Sequence, residues 1–363
     1  MVQGGGATTT KDPEQSIGRP IRRKSENFGV LPYVFFSLAT VAAMVLCICV
    51  GSVNIPPSDI WEVLTKALSG QALPEANATS IILTVRLPRV LCVALVGAAL
   101  SLCGASMQGL LRNPLADGTT LGVNSGAALG AVVAIAFGIS VPFLPFAGTM
   151  IMAMIGALLT LAIILSLSSR MDYSLSTNTI ILIGVIFTMF ANSIISFIIT
   201  FKPEKLHSIT FWTMGSLAQS SYMNVLILLV SLLAFGGVLV RFARELNAFA
   251  VGEDNARHVG VNVRRVKQIV MVMASCLIGV CVSIGGSIGF VGLVMPHMAR
   301  RVVGPNHKRL LPASLFSGAI FLMLADLAAR TLLRPLELPL GVVTSFIGSF
   351  VFIYIFYRTR KAK

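Results

Sequence analysis

The sequence predicts an all-α fold, a polytopic membrane protein of ten transmembrane helices. Three observations carry that expectation. Mean hydropathy is +0.86 over 363 residues, of which 55% are hydrophobic and only 12% charged. Apolar runs of about eighteen residues or more recur along the chain, each long enough to cross the hydrocarbon core of a bilayer. Lys and Arg alternate in density between them: threading the runs in order puts 21 on one side and 7 on the other. The richer side is the cytoplasmic one, with both termini on it.

Residues 1–29 are polar, rich in Gly, Thr and Lys/Arg and without apolar periodicity, which reads as a disordered cytoplasmic tail. Residues 30–360 are expected to form the ten-helix transmembrane domain. The first span, 30–51, lacks a small-residue cleavage site and is retained rather than removed as a signal peptide. An outside loop follows over 54–84, with Pro56, Pro57 and Pro74 and one short helix over 58–68 that Ser58 can cap. The second span, 90–111, carries Gly97, Ala98, Ala99, Ser101, Gly104, Ala105 and Ser106. Small residues let membrane helices approach closely, so this helix is expected at the centre of the bundle. The third span lies within 119–137, with Gly122, Gly126 and Gly130. Pro142 and Pro145 mark a turn before the fourth, 146–167, and Arg170 and Asp172 precede the fifth, 179–201.

Residues 202–222 form a polar outside stretch in which Trp212 suits an interfacial anchor. The sixth span covers 225–240 and the seventh 269–284. After a glycine-rich break, 285–289, a short eighth span ends at Pro296-His297. The ninth covers 311–329 and the tenth 340–357.

Between spans six and seven, residues 241–267 hold nine charged side chains: Arg241, Arg244, Glu245, Glu253, Asp254, Arg257, Arg264, Arg265 and Lys267. One charge at the bilayer centre costs roughly 2.5–3.5 kcal/mol even on lenient scales. This segment therefore lies in water, and its basic excess puts it on the cytoplasmic side. Within it, Asp254, Ala256 and Gly260 follow an acid-x-Ala-x-x-x-Gly pattern, which suggests a short helix stopped by a glycine in a left-handed conformation.

Several function classes are excluded. The basic residues flank apolar runs rather than forming a patch interleaved with aromatics, so they read as topology signals and contacts with anionic lipid, not as a nucleic-acid surface. The six cysteines sit inside apolar runs with no metal-type spacing, so neither disulfides, zinc nor any other metal or cofactor is implied. No G-x-x-x-x-G-K-[ST] occurs, so nucleotide hydrolysis by that route belongs elsewhere. His297, after Pro296, reads as a helix-end residue. Ion-coupled carriers hold several acids within their spans, whereas here only Asp326 lies in one, with Arg330 a helical turn away to pair with it. The absence of converging His, Cys or acid sets also counts against a membrane-embedded enzyme.

Five stretches together resemble the FecCD-type permeases, the membrane subunits of ATP-driven importers for ferric siderophores, haem and cobalamin. They are Arg86-Leu87-Pro88-Arg89, Gly109-Leu110-Leu111-Arg112-Asn113-Pro114-Leu115-Ala116, Leu121-Gly122-Val123-Asn124-Ser125-Gly126-Ala127, Gly289-Phe290-Val291-Gly292-Leu293-Val294-Met295-Pro296-His297 and Ala325-Asp326-Leu327-Ala328-Ala329-Arg330. The resemblance covers nearly everything after residue 31.

It implies a type II ABC importer permease fold in the bacterial cytoplasmic membrane. It also implies a second permease subunit, two cytoplasmic ATPase subunits and an external substrate-binding protein. The segment 241–268 then resembles the coupling loop, so Glu253, Asp254, Ala256, Arg257 and Gly260 are expected against the ATPase, with a small-residue face seated in its cleft. Asn255 stands where the family pattern has alanine. Arg86, Arg89 and Arg330 match outside arginines that receive carboxylates of the binding protein, a task suited to the guanidinium fork. For Arg86 and Arg89 the alternative is snorkelling at a helix end. Asn113, Leu115, Thr177 and Asn178 match the cytoplasmic gate. The expected cargo is an iron chelate, a ferric siderophore first, with haem or cobalamin as alternatives.

Overall fold

A computed structural model of the chain describes residues 29–72, 77–118, 121–141, 147–172 and 175–361. The expected N-terminal tail, the Pro142/Pro145 turn and the first residues of spans three and four lie outside the described residues. Every element of regular structure among those described is helical.

The helices are α1 (Val30–Cys49), α2 (Pro57–Ser69), α3 (Asn77–Leu110), α4 (Val123–Phe137), α5 (Ala147–Met171), α6 (Thr177–Phe201), α7 (Leu206–Thr213), α8 (Tyr222–Arg241), α9 (Ala243–Val251), α10 (Glu253–His258), α11 (Val263–Gly285), α12 (Val291–Val303), α13 (His307–Thr331) and α14 (Leu340–Lys361). Seven are long and apolar enough to cross a membrane: α1, α3, α5, α6, α8, α11 and α13. The shorter apolar stretches Val123–Phe137 of α4 and Leu340–Tyr354 of α14, with the 13-residue α12, complete the ten expected.

The central position expected of the second span is what the structure shows. In α3, 89% of the most apolar stretch is buried in the protein, against 17% in α1 and 28% in α6. Its neighbours are α13, α11, α12 and α8, with α4, α5 and α6 forming a second group joined through α11. Glycines make the tightest crossing possible: a Cβ built on Gly104 would collide with the Gly292 carbonyl of α12. Close backbone approach of this kind is what holds helices together where lipid removes the hydrophobic drive.

The second span begins earlier than its polar flank suggests, at Asn77 rather than near residue 90. Pro88 has no N–H to bond the Thr84 carbonyl, and the helix widens into a π-type stretch over Ile81–Arg86, where Leu87 N–H donates to Ile82 O. The short helix α2 is also there, but Ser58 does not cap it. Pro56 occupies the cap position, and Ser58 Oγ bonds Asp59 Oδ1 instead.

The helix of the eighth span does not end at Pro296-His297. Helix α12 continues to Val303, and His297 lies within it. Pro296 deprives the Gly292 carbonyl of its ladder partner, but Gln108 of α3 reaches across and donates its Nε2 to Gly292 O (3.2 Å) and Leu293 O (3.1 Å). The glycine-rich break before α12 is confirmed: α11 stops at Gly285, and Ser216 N–H donates to the Gly285 carbonyl (2.8 Å).

Candidate functional site

The conspicuous residues gather at the two ends of the bundle. At one end, α3 begins, α13 finishes and α1 finishes. Four last-turn and post-helical carbonyls of α1 need partners, and two buried arginines supply them. Arg86 donates to Ile48 O (2.7 Å), Cys49 O (3.2 Å) and Val53 O, and Arg330 Nη2 donates to Cys47 O (3.2 Å). A cationic side chain is also favoured there by the helix dipole.

Arg89 works between α3 and α13. Its Nε and Nη2 donate to Asp326 Oδ1 (3.1 and 2.9 Å), and its Nη1 donates to Glu337 Oε2 (2.8 Å). Arg330 Nε lies 2.9 Å from Asp326 Oδ2, in ion-pair contact but away from the N–H direction of a good hydrogen bond. The Asp326–Arg330 pair expected one turn apart is therefore present, and Arg89 joins it. Arg86, Arg89 and Arg330 are all buried. None lies along the surface with its head in water, so the snorkelling alternative for Arg86 and Arg89 is not what the structure holds. Of the group, Glu337 is the open member, its side chain 34% exposed.

At the opposite end, residues 243–258 fold as two short helices, α9 and α10, before α11 begins at Val263. The acid-x-Ala-x-x-x-Gly pattern produces the short helix it suggested: Glu253–His258, closed by Val261 N–H on the Ala256 carbonyl and by Gly260 at φ +87°. Asp254 and Arg257 are exposed and pair with each other at 3.0 Å. Ala256 is fully buried, so the small residue faces the chain's own bundle and seats the helix there, correcting the expectation that it faces outward. The outward face carries Asp254, Asn255, Arg257, His258 and Val259.

Lys267 is a second correction, since the whole segment was expected in water. Its side chain is completely buried, its Nζ 2.7 Å from Glu253 Oε1 and 2.8 Å from the Leu175 carbonyl. It ties α10 to the entry of α6 through the first turn of α11. Nothing in the local spacing signals this, because Leu175 is 92 positions away.

The residues matched to the gate occupy two turns. After α3, Arg112 takes φ +50° and Asn113 Oδ1 accepts from Leu115 N–H (2.9 Å), a non-helical turn around Pro114 that leaves Leu115 exposed. At the start of α6, Ser176 Oγ caps by accepting from Thr179 N–H, Thr177 is half-buried and Asn178 is exposed.

Two further residues were not anticipated. Asn247 of α9 and His307 of α13 are joined by hydrogen bonds across 60 residues, and α9 and the start of α13 border an open depression of about 600 Å³ lined by Arg244, Asn247, Ala250, Pro305, Asn306 and Lys308. No group of three or more His, Cys, Asp or Glu side chains able to hold a metal exists among the described residues.

A family profile described as the FecCD transport family matches residues 39–358. An uncharacterized ABC transporter permease protein, YvrB, of Bacillus subtilis is 39% identical, over 94% of this chain and 97% of its own. The cobalamin import system permease protein BtuC of Halobacterium salinarum is 37% identical, over 84% of this chain and 80% of its own. Among solved structures, an ABC transporter assigned to the metal-chelate type, in an inward-facing conformation, superposes with a TM-score of 0.78. It is 31% identical and covers 90% of this chain and 98% of that one.

Proposed function

Because the chain belongs to the FecCD transport family of ABC importer permeases, we propose that it carries an iron chelate, a ferric siderophore, across the bacterial cytoplasmic membrane. It is a multi-pass protein of that membrane. In this reading both termini, α9 and α10 face the cytoplasm, and the Arg86–Arg89–Arg330 end faces outward. A second permease subunit completes the pathway. Two ATPase subunits receive α10, and an external binding protein delivers the cargo.

The observation that carries the cargo class is the exposed face of α6. Along its second half, Asn192, Ser193, Ser196 and Thr200 form a polar but uncharged row beside Met189, Phe190 and Phe197, separated from Thr177 and Asn178 at the start of the helix by exposed Leu182, Val185 and Ile186. An exposed asparagine is costly against lipid, since an unsatisfied polar group in hydrocarbon loses its hydrogen bonds with water. The row suits a water-lined path. The hydroxyls of Ser193, Ser196 and Thr200 bond their own helix carbonyls, so each is satisfied when the path is empty and free to turn when cargo passes. No fixed charge on this face would trap a bulky, polar chelate.

Arg89 supports the docking role in a specific form. Its Nη1 holds Glu337, the half-open carboxylate of the network. A carboxylate of the binding protein can replace Glu337 there without breaking the buried contact to Asp326. Arg86 and Arg330 hold the end of α1 in place around that exchange.

A cobalamin cargo is the second reading, favoured by the 37% identity to the cobalamin permease. Competition decides between them. Uptake of a labelled ferric hydroxamate into proteoliposomes holding permease, ATPase and binding protein should be blocked by excess unlabelled hydroxamate complex and not by cobalamin or haem. Blocking by cobalamin alone transfers the assignment to the corrinoid.

A further inference from the structure

Resting on the importer reading above, we propose that Asn247 and His307 form the clamp through which movement of α9 reaches both α13 and the gate turn after α3; they are positioning residues for transport.

The geometry fixes the chemistry of the pair. The backbone N–H of His307 can only donate, and it does so to Asn247 Oδ1 at 2.8 Å. The atom facing His307 is therefore the amide oxygen. His307 Nδ1 lies 2.9 Å from the same oxygen, so Nδ1 carries the ring proton and Nε2 is the bare acceptor. The Asn247 amide nitrogen then points the other way and donates to Asn306 Oδ1 at 2.9 Å. Asn306 in turn accepts from Lys308 N–H at 3.0 Å and caps α13. One side chain of α9 thus holds the cap, the first backbone donor and the ring of the first residue of α13.

The ring links a third element. His307 is buried, and its Nε2 has no hydrogen-bond partner. It lies against the backbone of Gly109 in the last turn of α3, where any Cβ would collide with it. Three residues further on begins the turn that holds Asn113 and Leu115. A displacement of α9 therefore cannot leave α13 and the end of α3 both where they are.

The clamp adds hydrogen bonds to a first turn of α13 whose own ladder is incomplete. Pro312 has no N–H for the Lys308 carbonyl, so one hydrogen bond of that turn is missing. Beyond Pro312, α13 runs about 1.5 Å per residue to Asp326, which meets both Arg89 and Arg330 at the far end. The same helix is held at one end by the coupling segment and at the other by the arginine network.

The test is cargo imported per ATP hydrolysed, in proteoliposomes with the ATPase and loaded binding protein. Asn247→Ala should lower that ratio at least fivefold while binding-protein-stimulated ATP hydrolysis stays within twofold. Asn247→Asp keeps the acceptor for His307 but sets a charged oxygen against Asn306 Oδ1 in place of the donor, so it should retain a ratio between the two. Gly109→Ala, which displaces the ring without touching Asn247, should resemble Asn247→Ala. An unchanged ratio in Asn247→Ala and Gly109→Ala overturns the clamp. Failure of both Asn247 variants to assemble assigns the pair to folding alone and overturns it as well. Absence of ATP-driven uptake by the unmutated complex is a different result and rejects the importer reading itself.

Discussion

Arg89 Nη2 stands 2.9 Å from Asp326 Oδ1, so a carboxylate buried in α13 is shared by guanidinium groups from α3 and from its own helix. Removing it leaves the buried Arg330 without its carboxylate and Arg89 with Glu337 alone. Breaking a buried pair from one side costs about 3–5 kcal/mol, because the remaining charge stays desolvated. Asp326→Ala should therefore sharply lower the midpoint of thermal unfolding in detergent. A change equivalent to less than about 1 kcal/mol, the scale of an exposed pair, would mean that water reaches this network.

The arrangement at Glu337 makes the docking proposal specific. If a carboxylate of the binding protein replaces Glu337 on Arg89, then Glu337→Ala removes the competitor. Capture of the loaded binding protein should tighten several-fold, within the ~0–1 kcal/mol that partly exposed pairs contribute. Arg89→Ala should weaken capture tenfold or more, on the order of 1.4 kcal/mol. Weaker capture by Glu337→Ala would show that Glu337 itself belongs to the receiving surface.

Gly260 separates backbone strain from contact. It sits at φ +87°, and a Cβ there would meet nothing within 4 Å. Gly260→Val should cost about 1–2 kcal/mol through the left-handed conformation alone and loosen the end of α10. Asn tolerates that region better, so Gly260→Asn should retain more ATP-coupled uptake than Gly260→Val at equal expression. Equal loss in both would place Gly260 in direct contact with a partner.

Two glycines in helices should behave oppositely. At Gly104 of α3 a Cβ has no room beside the Gly292 backbone, whereas at Gly237 of α8 it meets nothing within 4 Å. Gly104→Ala should disrupt the packing of α3 on α12 and reduce the yield of folded protein. Gly237→Ala should be neutral or stabilising by up to about 1 kcal/mol, the propensity difference between the two residues. Thermal unfolding of the pair in one detergent compares them directly.

How much of this was legible follows from which contacts are local. The spans and the short helix α10 were readable because apolar run length and the acid-x-Ala-x-x-x-Gly pattern act within a few residues. The central place of α3 was readable from its small residues, since these serve only close approach. Pro296 was misread as an end because its compensation comes from Gln108, on another helix. Lys267 was assigned to water because its partners, Glu253 and the Leu175 carbonyl, meet it only in three dimensions. Arg86 and Arg89 stood out by motif, but their burial against α1, Asp326 and Glu337 depends on where α1 and α13 end. The Asn247–His307 clamp had no local signal at all.

The gate assignment rests on two turns, the one after α3 that holds Asn113 and Leu115 and the one that opens α6 at Thr177 and Asn178. Single cysteines at Leu115, which is exposed, and at Thr177, which is half-buried, should change their reaction rate with a water-soluble thiol reagent several-fold when nucleotide is added to the assembled complex. Rates that are the same in every nucleotide state would remove both residues from the gate.

The most direct measurement of the central claim is uptake of a radio-iron chelate into proteoliposomes that contain this permease with its ATPase and binding protein. The importer account predicts accumulation that requires ATP inside the assay and an intact α10, and that ignores an imposed proton gradient. Accumulation driven by the gradient without ATP, and unaffected by Gly260→Val, would contradict it.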